Sequence, residues 1–216
     1  MNTFTGPLIL AAKQLRRTLK LSPIQFVFRR LRQNGIRLGT ITALEAFGGT
    51  GVNQTPDLYA AVKHLDIWDI SPPRREMLQR KFPRAKVTIG DSYLMIQSPR
   101  NTYDLVLMDV GEQMGDRFEH FEMFPHVFNA LNNPGVLIFN ETPVIRDRDP
   151  ERLRQRQEFY MVKDPSTISW AEVEAAYNRR ARESGWIIDH FFRERRWVFD
   201  LKSDPMYYTV LMLRRL

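Results

Sequence analysis

The residues most suited to binding a ligand begin with a glycine-rich loop that follows a short apolar run. The segment TALEAFGGTGVN, residues 42–53, contains one acidic residue and three glycines within four positions. Glycines at the end of a strand let a ligand approach the main chain, although one or two of them could also serve only a turn with positive φ. The loop therefore indicates a ligand site, and a tight turn alone is the alternative.

Four carboxylates stand at the ends of predicted strands: Glu45, Asp69, Asp91 and Asp109. Parallel strands end at one edge of a sheet, which is where ligands of open α/β sheets bind. Each aspartate alone is often a helix cap or a turn residue. Asp69 follows Gly51 by about 20 residues, the spacing at which an acidic side chain accepts hydrogen bonds from a ribose diol. Together the four positions predict one pocket.

The loop does not match the known phosphate-binding patterns. After Gly49 and Gly51, Gln54 stands where a dinucleotide fingerprint has its last glycine. The Gly-Lys-Ser/Thr of a phosphate-cradling loop is missing, and residues 40–61 contain no basic side chain. These features favour a ligand with a ribose and an adenine but no phosphate, and Glu45 would favour a cationic amino acid portion.

Alternating apolar runs and helical stretches predict the elements that position these residues. The pattern is typical of βαβ units and a doubly wound α/β sheet. The predicted strands are 40–46, 65–69, 86–89, 103–108 and 136–140, followed after a helix by 186–192 and 207–213. Helices are predicted to start at Thr55-Pro56, at Ser71-Pro72, within 118–131 and at a Ser169/Glu172 capping box.

The N-terminal part is basic and is predicted to be helical. Residues 1–44 contain eight basic and no acidic side chains, whereas the whole chain has a formal net charge of +7. Apolar residues at helical spacing predict one helix over 7–19 and a second from Ser22-Pro23 to Gly35. A basic amphipathic start is typical of a transit peptide, of an arm that binds nucleic acid or another anionic partner, or of a solvated helix face.

We expect one large domain with an extension. The prediction is a basic helical extension packed on the domain over 1–38, the main α/β domain over 39–216, and a charged lid or insertion near 146–168. No apolar run reaches the length of a membrane span. The absence of cysteine excludes disulfides and a cysteine nucleophile, and we expect a cytoplasmic protein, with an organelle matrix as the alternative.

The motifs of residues 40–140 resemble those of class I S-adenosylmethionine-dependent methyltransferases. ALEAFGGTG resembles the first motif of that family with Phe47 at its first glycine, IWDISPPRREML the second, VTIGDSY the third and YDLVLMDV the fourth. The resemblance implies an S-adenosylmethionine site with Asp69 on the ribose, and with Ile70, Asp91 and Ser92 near the adenine. It also implies an antiparallel last strand. The implied cofactor-binding residues are Glu45, Ala46, Phe47, Gly48, Gly49, Gly51, Asp69, Ile70, Asp91, Ser92 and Asp109.

The residues that would act on a methyl acceptor are less well marked. Asp109 and Glu112 are the predicted catalytic residues, with Glu141 as a further candidate for a base. Asp109-Val110-Gly111-Glu112 departs from the Asp/Asn-Pro-Pro-aromatic motif of base-amino methyltransferases, so that class is disfavoured. No metal site is predicted. A catalytically inactive binding or assembly component, and an aminopropyl transferase resembling spermidine synthases, are the alternative functions.

Overall fold

A seven-stranded sheet lies at the centre of the structure, a computed structural model that describes residues 22–112, 117–146, 148–196 and 204–216, together with Leu15 and Leu19. Its strands are β1 (Thr42–Glu45), β2 (His64–Asp69), β3 (Lys86–Ile89), β4 (Tyr103–Met108), β5 (Leu131–Glu141), β6 (Trp186–Arg195) and β7 (Tyr207–Arg215). The strand order is β3-β2-β1-β4-β5-β7-β6. Strands β1 to β5 are parallel, and β7 pairs antiparallel with both β5 and β6. The predicted α/β sheet with an antiparallel last strand is confirmed.

Helices cover both faces of the sheet. They are α1 (Pro23–Gln33), α2 (Thr55–Ala61), α3 (Arg74–Lys81), α4 (Ser92–Gln97), α5 (Glu119–Val127), α6 (Pro150–Tyr160) and α7 (Trp170–Glu183). Strand β4 shows how the layers arise, because Leu105 and Leu107 join one hydrophobic cluster while Val106 and Met108 join the other. A strand buried on both faces is expected to be a continuous apolar run, as here.

Helix α1 belongs to the core rather than to a loose tail. Its buried residues are Ile24, Val27, Phe28 and Leu31, and they pack in the cluster that also contains residues of β6 and β7. Pro23 stands in its first turn, and Gly35 follows its end with a φ of 86°. The predicted helix over 7–19 falls almost entirely outside the described residues.

Two helices were not expected from the sequence. Helix α4 begins directly after its N-cap Asp91, whose carboxylate accepts from the backbone N–H of Tyr93. Helix α6 occupies about half of the segment near 146–168, where a charged lid or exposed insertion was expected, and it buries Arg156, Phe159 and Tyr160. Among the described helices, none is long and apolar enough to cross a membrane.

Candidate functional site

A cavity of about 330 Å³ opens at the carboxyl ends of β1 to β4. Nine of the predicted cofactor-binding residues line it: Phe47, Gly48, Gly49, Gly51, Asp69, Ile70, Asp91, Ser92 and Asp109. The two others, Glu45 and Ala46, are fully buried and are not part of its lining. The parallel strands thus bring together residues that are up to about 60 positions apart in the chain, as expected for this edge of a sheet.

The three glycines of the loop have different roles. A Cβ atom at Gly48 would lie 2.3 Å from Cγ2 of Ile67, and one at Gly51 would lie 2.7 Å from Cε2 of Phe82. These two positions therefore exclude side chains because of internal packing. At Gly49 a Cβ atom would meet no atom within 4 Å, but its φ of 54° favours glycine. Gly49 is the position where the main chain borders open space.

Glu45 lies beneath this loop with one half of its carboxyl group unpaired. Oε1 accepts from Nε2 of Gln54 over 2.7 Å and from Oγ1 of Thr55 over 2.9 Å. Oε2 of Glu45 and Oε1 of Gln54 are buried without a hydrogen-bond partner among the described residues. Burial raises the pKa of Glu45 to about 8, the charge of Asp109 adds to this shift, and the two donors oppose it. A cationic group reaching these two oxygens would satisfy both.

Asp69, at the end of β2, has a carboxylate surrounded by donors. Oδ2 accepts from the backbone N–H of Gly49 over 2.7 Å, and Oδ1 accepts from that of Ser71 over 2.8 Å. Arg74 adds an ion pair through Nη1 at 3.2 Å from Oδ2. The side chain is therefore held in a fixed position at the cavity wall.

Asp91 and Ser92 connect β3 to α4 at the neighbouring part of the wall. Besides capping α4, Asp91 accepts from Nη1 of Arg117 over 2.9 Å. The hydroxyl of Ser92 donates to the carbonyl oxygen of Ala46, which ties the start of α4 to the end of β1. Ser92 is thus engaged with the main chain, although it borders the cavity.

Asp109, at the end of β4, is paired with a residue from the other half of the chain. Nδ2 of Asn140 donates to Oδ1 of Asp109 over 2.6 Å, and Nη1 of Arg196 donates to the same atom. The guanidinium group of Arg196 lies 4.6 Å from the ring centroid of Tyr208. Oδ1 of Asp109 thus accepts one hydrogen bond from an amide and one from a guanidinium group, and these two contacts fix the side chain at the end of β4.

Glu112 is not placed where the sequence led us to expect it. It lies outside the cavity lining and is buried between Arg152 and Arg156 of α6, at 3.0 Å from Nη2 of Arg152. Arg156 is fully buried and also donates to the carbonyl oxygens of Thr142 and Pro143. A buried guanidinium needs an opposite charge, so this position favours a structural role for Glu112, fixing α6 to the domain, over the predicted catalytic role.

Glu141 likewise belongs to a buried network rather than to the cavity. Its two oxygens accept from the hydroxyls of Tyr160 and Tyr177, each over 2.7 Å. Since Tyr177 donates to Glu141, it accepts from Nε2 of His120 at 2.8 Å. Burial raises the pKa of Glu141 to about 7, with a contribution from the charge of Glu112, and lowers the pKa of His120 to about 3. The network connects β5, α5, α6 and α7.

Comparisons with known proteins identify the fold. No family model and no curated protein match the sequence. Among solved structures, the chain is similar to magnesium protoporphyrin IX methyltransferase from Synechocystis with bound SAH, at a TM-score of 0.55 and 15% identity over 100% of this chain and 88% of that one. A candidate RNA methyltransferase from Pyrococcus horikoshii gives a TM-score of 0.57 and 13% identity over 89% and 82% of the two chains. A SAM-dependent methyltransferase from Leishmania major gives 0.55 and 22% over 85% and 69%.

The chain has the class I methyltransferase fold.

Six residues line the cavity of this methyltransferase fold without having been predicted: Thr50, Val52, Asn53, Gln54, Arg74 and Glu119. The first four continue the glycine loop, so their position in the segment could have indicated them. Arg74 and Glu119 come from the first turns of α3 and α5, and no sequence pattern marks them. Among the residues that the structure describes, no group of three potential metal ligands occurs.

Proposed function

We propose that the protein transfers a methyl group from S-adenosylmethionine to an acceptor. The observation that carries the proposal is the cavity above Gly49, which the carboxylates of Asp69, Asp91 and Asp109 border at the carboxyl ends of β2, β3 and β4. A loop without basic residues and an acidic wall suit a cationic, phosphate-free adenosyl compound.

The amino acid portion of such a ligand would be directed to two buried acceptors next to the loop. Oε2 of Glu45 and Oε1 of Gln54 are acceptors without a donor. An ammonium group has three donors and a positive charge, and would therefore supply hydrogen bonds to both oxygens and favour the ionised form of Glu45. We assign Glu45 and Gln54 to this end of the site.

The nucleoside portion fits the other end of the cavity. Asp69 would accept from the ribose hydroxyls. The side chain of Ile70 is 66% exposed although it is large and apolar, so it offers a surface for the adenine ring. Asp91 and the main chain around Ser92 would border the edge of the base.

The protein would contribute mainly alignment to the reaction. Bound S-adenosylmethionine supplies an electrophilic methyl group, and methyl transfer then requires a nucleophile held in line with it. Asp109, fixed by Asn140 and Arg196, would orient an acceptor through a hydrogen bond. The solved relatives are named for acceptors as different as RNA and a magnesium porphyrin.

Titration calorimetry tests the proposal and separates it from the two alternatives. We expect S-adenosylmethionine and S-adenosylhomocysteine to bind. Tighter binding of decarboxylated S-adenosylmethionine would favour aminopropyl transfer, a reaction for which Glu112 no longer offers a second acidic group at the site. If none of the three compounds binds, the protein is a scaffold and the proposal is wrong.

An anionic partner for helix α1 is a separate part of the proposal. Arg29 and Arg32 of α1 are exposed, and the acid-free segment of residues 1–44 continues this charge along the chain. We expect the protein to bind a short RNA duplex with an affinity that falls steeply with salt, and Arg29→Gln with Arg32→Gln to reduce the salt slope. Binding that does not change with salt would contradict the interpretation.

A further inference from the structure

Every hydrogen-bonding position of the Asp69 carboxylate is occupied in this structure. A carboxylate has two oxygens and about four lone-pair positions. Backbone N–H groups take one position on each oxygen, at 2.7 Å from Gly49 and 2.8 Å from Ser71. Nη1 of Arg74 lies 3.2 Å from Oδ2 and 3.4 Å from Oδ1 and takes the remaining position on each.

The two kinds of donor differ in how easily they leave. The backbone contacts are short and belong to the glycine loop and to the turn after β2. The contacts of Arg74 are longer, and its side chain is 42% exposed, so it can leave Asp69 without disturbing the fold. The side chain of Asp69 is itself only 4% exposed and remains oriented by the two N–H groups.

A ribose diol needs the positions that Arg74 holds. Two adjacent hydroxyls bind a carboxylate best when each donates to a different oxygen. When Arg74 leaves, one acceptor position becomes free on each oxygen, whereas the backbone N–H groups of Gly49 and Ser71 stay in place. We infer that Arg74 is a specificity-determining residue: it closes the ribose site of the free protein, and the ribose diol must displace it in order to bind. The inference rests on the proposed function, because it concerns the same site.

The expected effect is modest and has a clear sign. A partly exposed ion pair contributes little free energy and is weakened by salt. Its loss on binding should therefore reduce the affinity of an adenosyl ligand by only about two- to fivefold. High salt should restore the affinity of the wild type by the same factor, because salt weakens the ion pair between Arg74 and Asp69 in the free protein. A residue that merely anchored Asp69 would have the opposite effect on affinity.

Matched variants provide the first test. Arg74→Ala and Arg75→Ala remove the same charge from the same helix, but Arg75 is exposed and does not line the cavity. We expect Arg74→Ala to bind S-adenosylhomocysteine about two- to fivefold more tightly than the wild type in calorimetry, and Arg75→Ala to bind like the wild type. Equal or weaker binding by Arg74→Ala would overturn the inference alone. Absence of binding to all three proteins would overturn the proposed function and the inference with it.

Uncharged probes provide the second test, because salt acts on them only through the protein. Adenosine should bind Arg74→Ala more tightly than the wild type, as measured by ligand-observed NMR, and the difference should shrink between about 0.05 and 0.5 M NaCl. For 2′,3′-dideoxyadenosine, which lacks the diol, the two proteins should bind equally. A gain that is the same for both nucleosides would show that Arg74 does not act through the ribose, and would overturn the inference.

Discussion

Nη1 of Arg196, just after β6, donates to Oδ1 of Asp109, just after β4, over 2.5 Å. Arg196 also donates to Oδ1 of Asn140, so the three side chains form a closed triangle at the carboxyl edge of the sheet. The pair joins the ends of two strands that are not neighbours in the sheet. It gives Asp109 a structural role in addition to the one proposed at the cavity.

Asp109→Asn should destabilise the fold. The substitution leaves the guanidinium group of Arg196, which is mostly buried, without its opposite charge, and we expect the free energy of unfolding to fall by about 3 kcal/mol. Urea denaturation measures this quantity. Asp189→Asn is the control, because its pair with Arg214 is exposed on both sides and should contribute less than about 1 kcal/mol. Equal effects of the two variants would contradict the structural role.

Glu112→Gln should act on stability and not on the cofactor. It leaves the fully buried Arg156 uncompensated, for which we expect a loss of about 3–5 kcal/mol in the free energy of unfolding. Arg154→Ala on the same helix breaks exposed pairs with Glu151 and Glu158 and should cost less than about 1 kcal/mol. The affinity of folded Glu112→Gln for S-adenosylhomocysteine should equal that of the wild type. A loss of affinity for S-adenosylhomocysteine without a loss of stability would show that Glu112 takes part in cofactor binding.

Asp69→Asn should weaken adenosyl ligands strongly. The substitution replaces charge-assisted hydrogen bonds to the ribose by neutral ones, and we expect the dissociation constant of S-adenosylhomocysteine to rise about ten- to hundredfold. Asp66→Asn serves as the control on the same strand, since Asp66 accepts from the hydroxyl of Tyr103 and does not line the cavity. Unchanged affinity in Asp69→Asn would remove Asp69 from the ribose site.

The affinity for S-adenosylmethionine should rise with pH below about pH 8. Burial raises the pKa of Glu45 to about 8, so the group is protonated in the free protein at neutral pH. A cationic ligand favours the carboxylate, and binding then releases a proton, which increases affinity by up to about tenfold per pH unit below the pKa. Calorimetry at several pH values measures the slope. In Glu45→Gln the slope should disappear, whereas the exposed Glu76→Gln should retain it.

Stability should fall as the pH rises from about 6.5 to about 8. In the folded protein the pKa of Glu141 is raised to about 7 and that of Glu45 to about 8, from 4.5 for an exposed glutamate. The two protonated groups therefore contribute their full stability below pH 4.5, and this contribution is lost as the pH rises through the pKa values of the folded protein. The lowered pKa of His120, about 3, raises stability only between pH 3 and 6.5. The chosen window therefore excludes the titration of His120.

Glu141→Gln tests this pH dependence. We expect the melting temperature of the variant to change less between about pH 6.5 and about pH 8 than that of the wild type, because one of the two groups no longer titrates. Glu174→Gln, on the exposed face of α7, should follow the wild type. A curve for Glu141→Gln that parallels the wild type would show that Glu141 is ionised throughout.

Much of the fold follows from local patterns in the sequence. The segment YDLVLM predicts strand β4 with its observed bounds, because its run from Leu105 to Met108 is apolar, as expected for a strand buried on both faces. The Ser169/Glu172 capping box marks the start of α7, since its hydrogen bonds are local. Helix α6 was not predicted because it buries a charged residue, Arg156. Arg156 can lie in the interior only because Glu112 and the carbonyl oxygens of residues 142 and 143, all distant in the sequence, accept its hydrogen bonds.

The candidate site divides in the same way. Glu45, the glycine loop and the aspartates at strand ends could be predicted from the sequence, because parallel strands bring their carboxyl ends to one edge whatever the details of packing. Only the tertiary structure decided which carboxylates border the cavity and which arginine pairs with each of them. Asp109 and Glu112 look alike in the sequence, yet the first borders the cavity and the second is buried against α6. The physical reason is that ionic partners are chosen by proximity in space, and the arginines that pair with these carboxylates lie about 40 to 90 residues away in the chain.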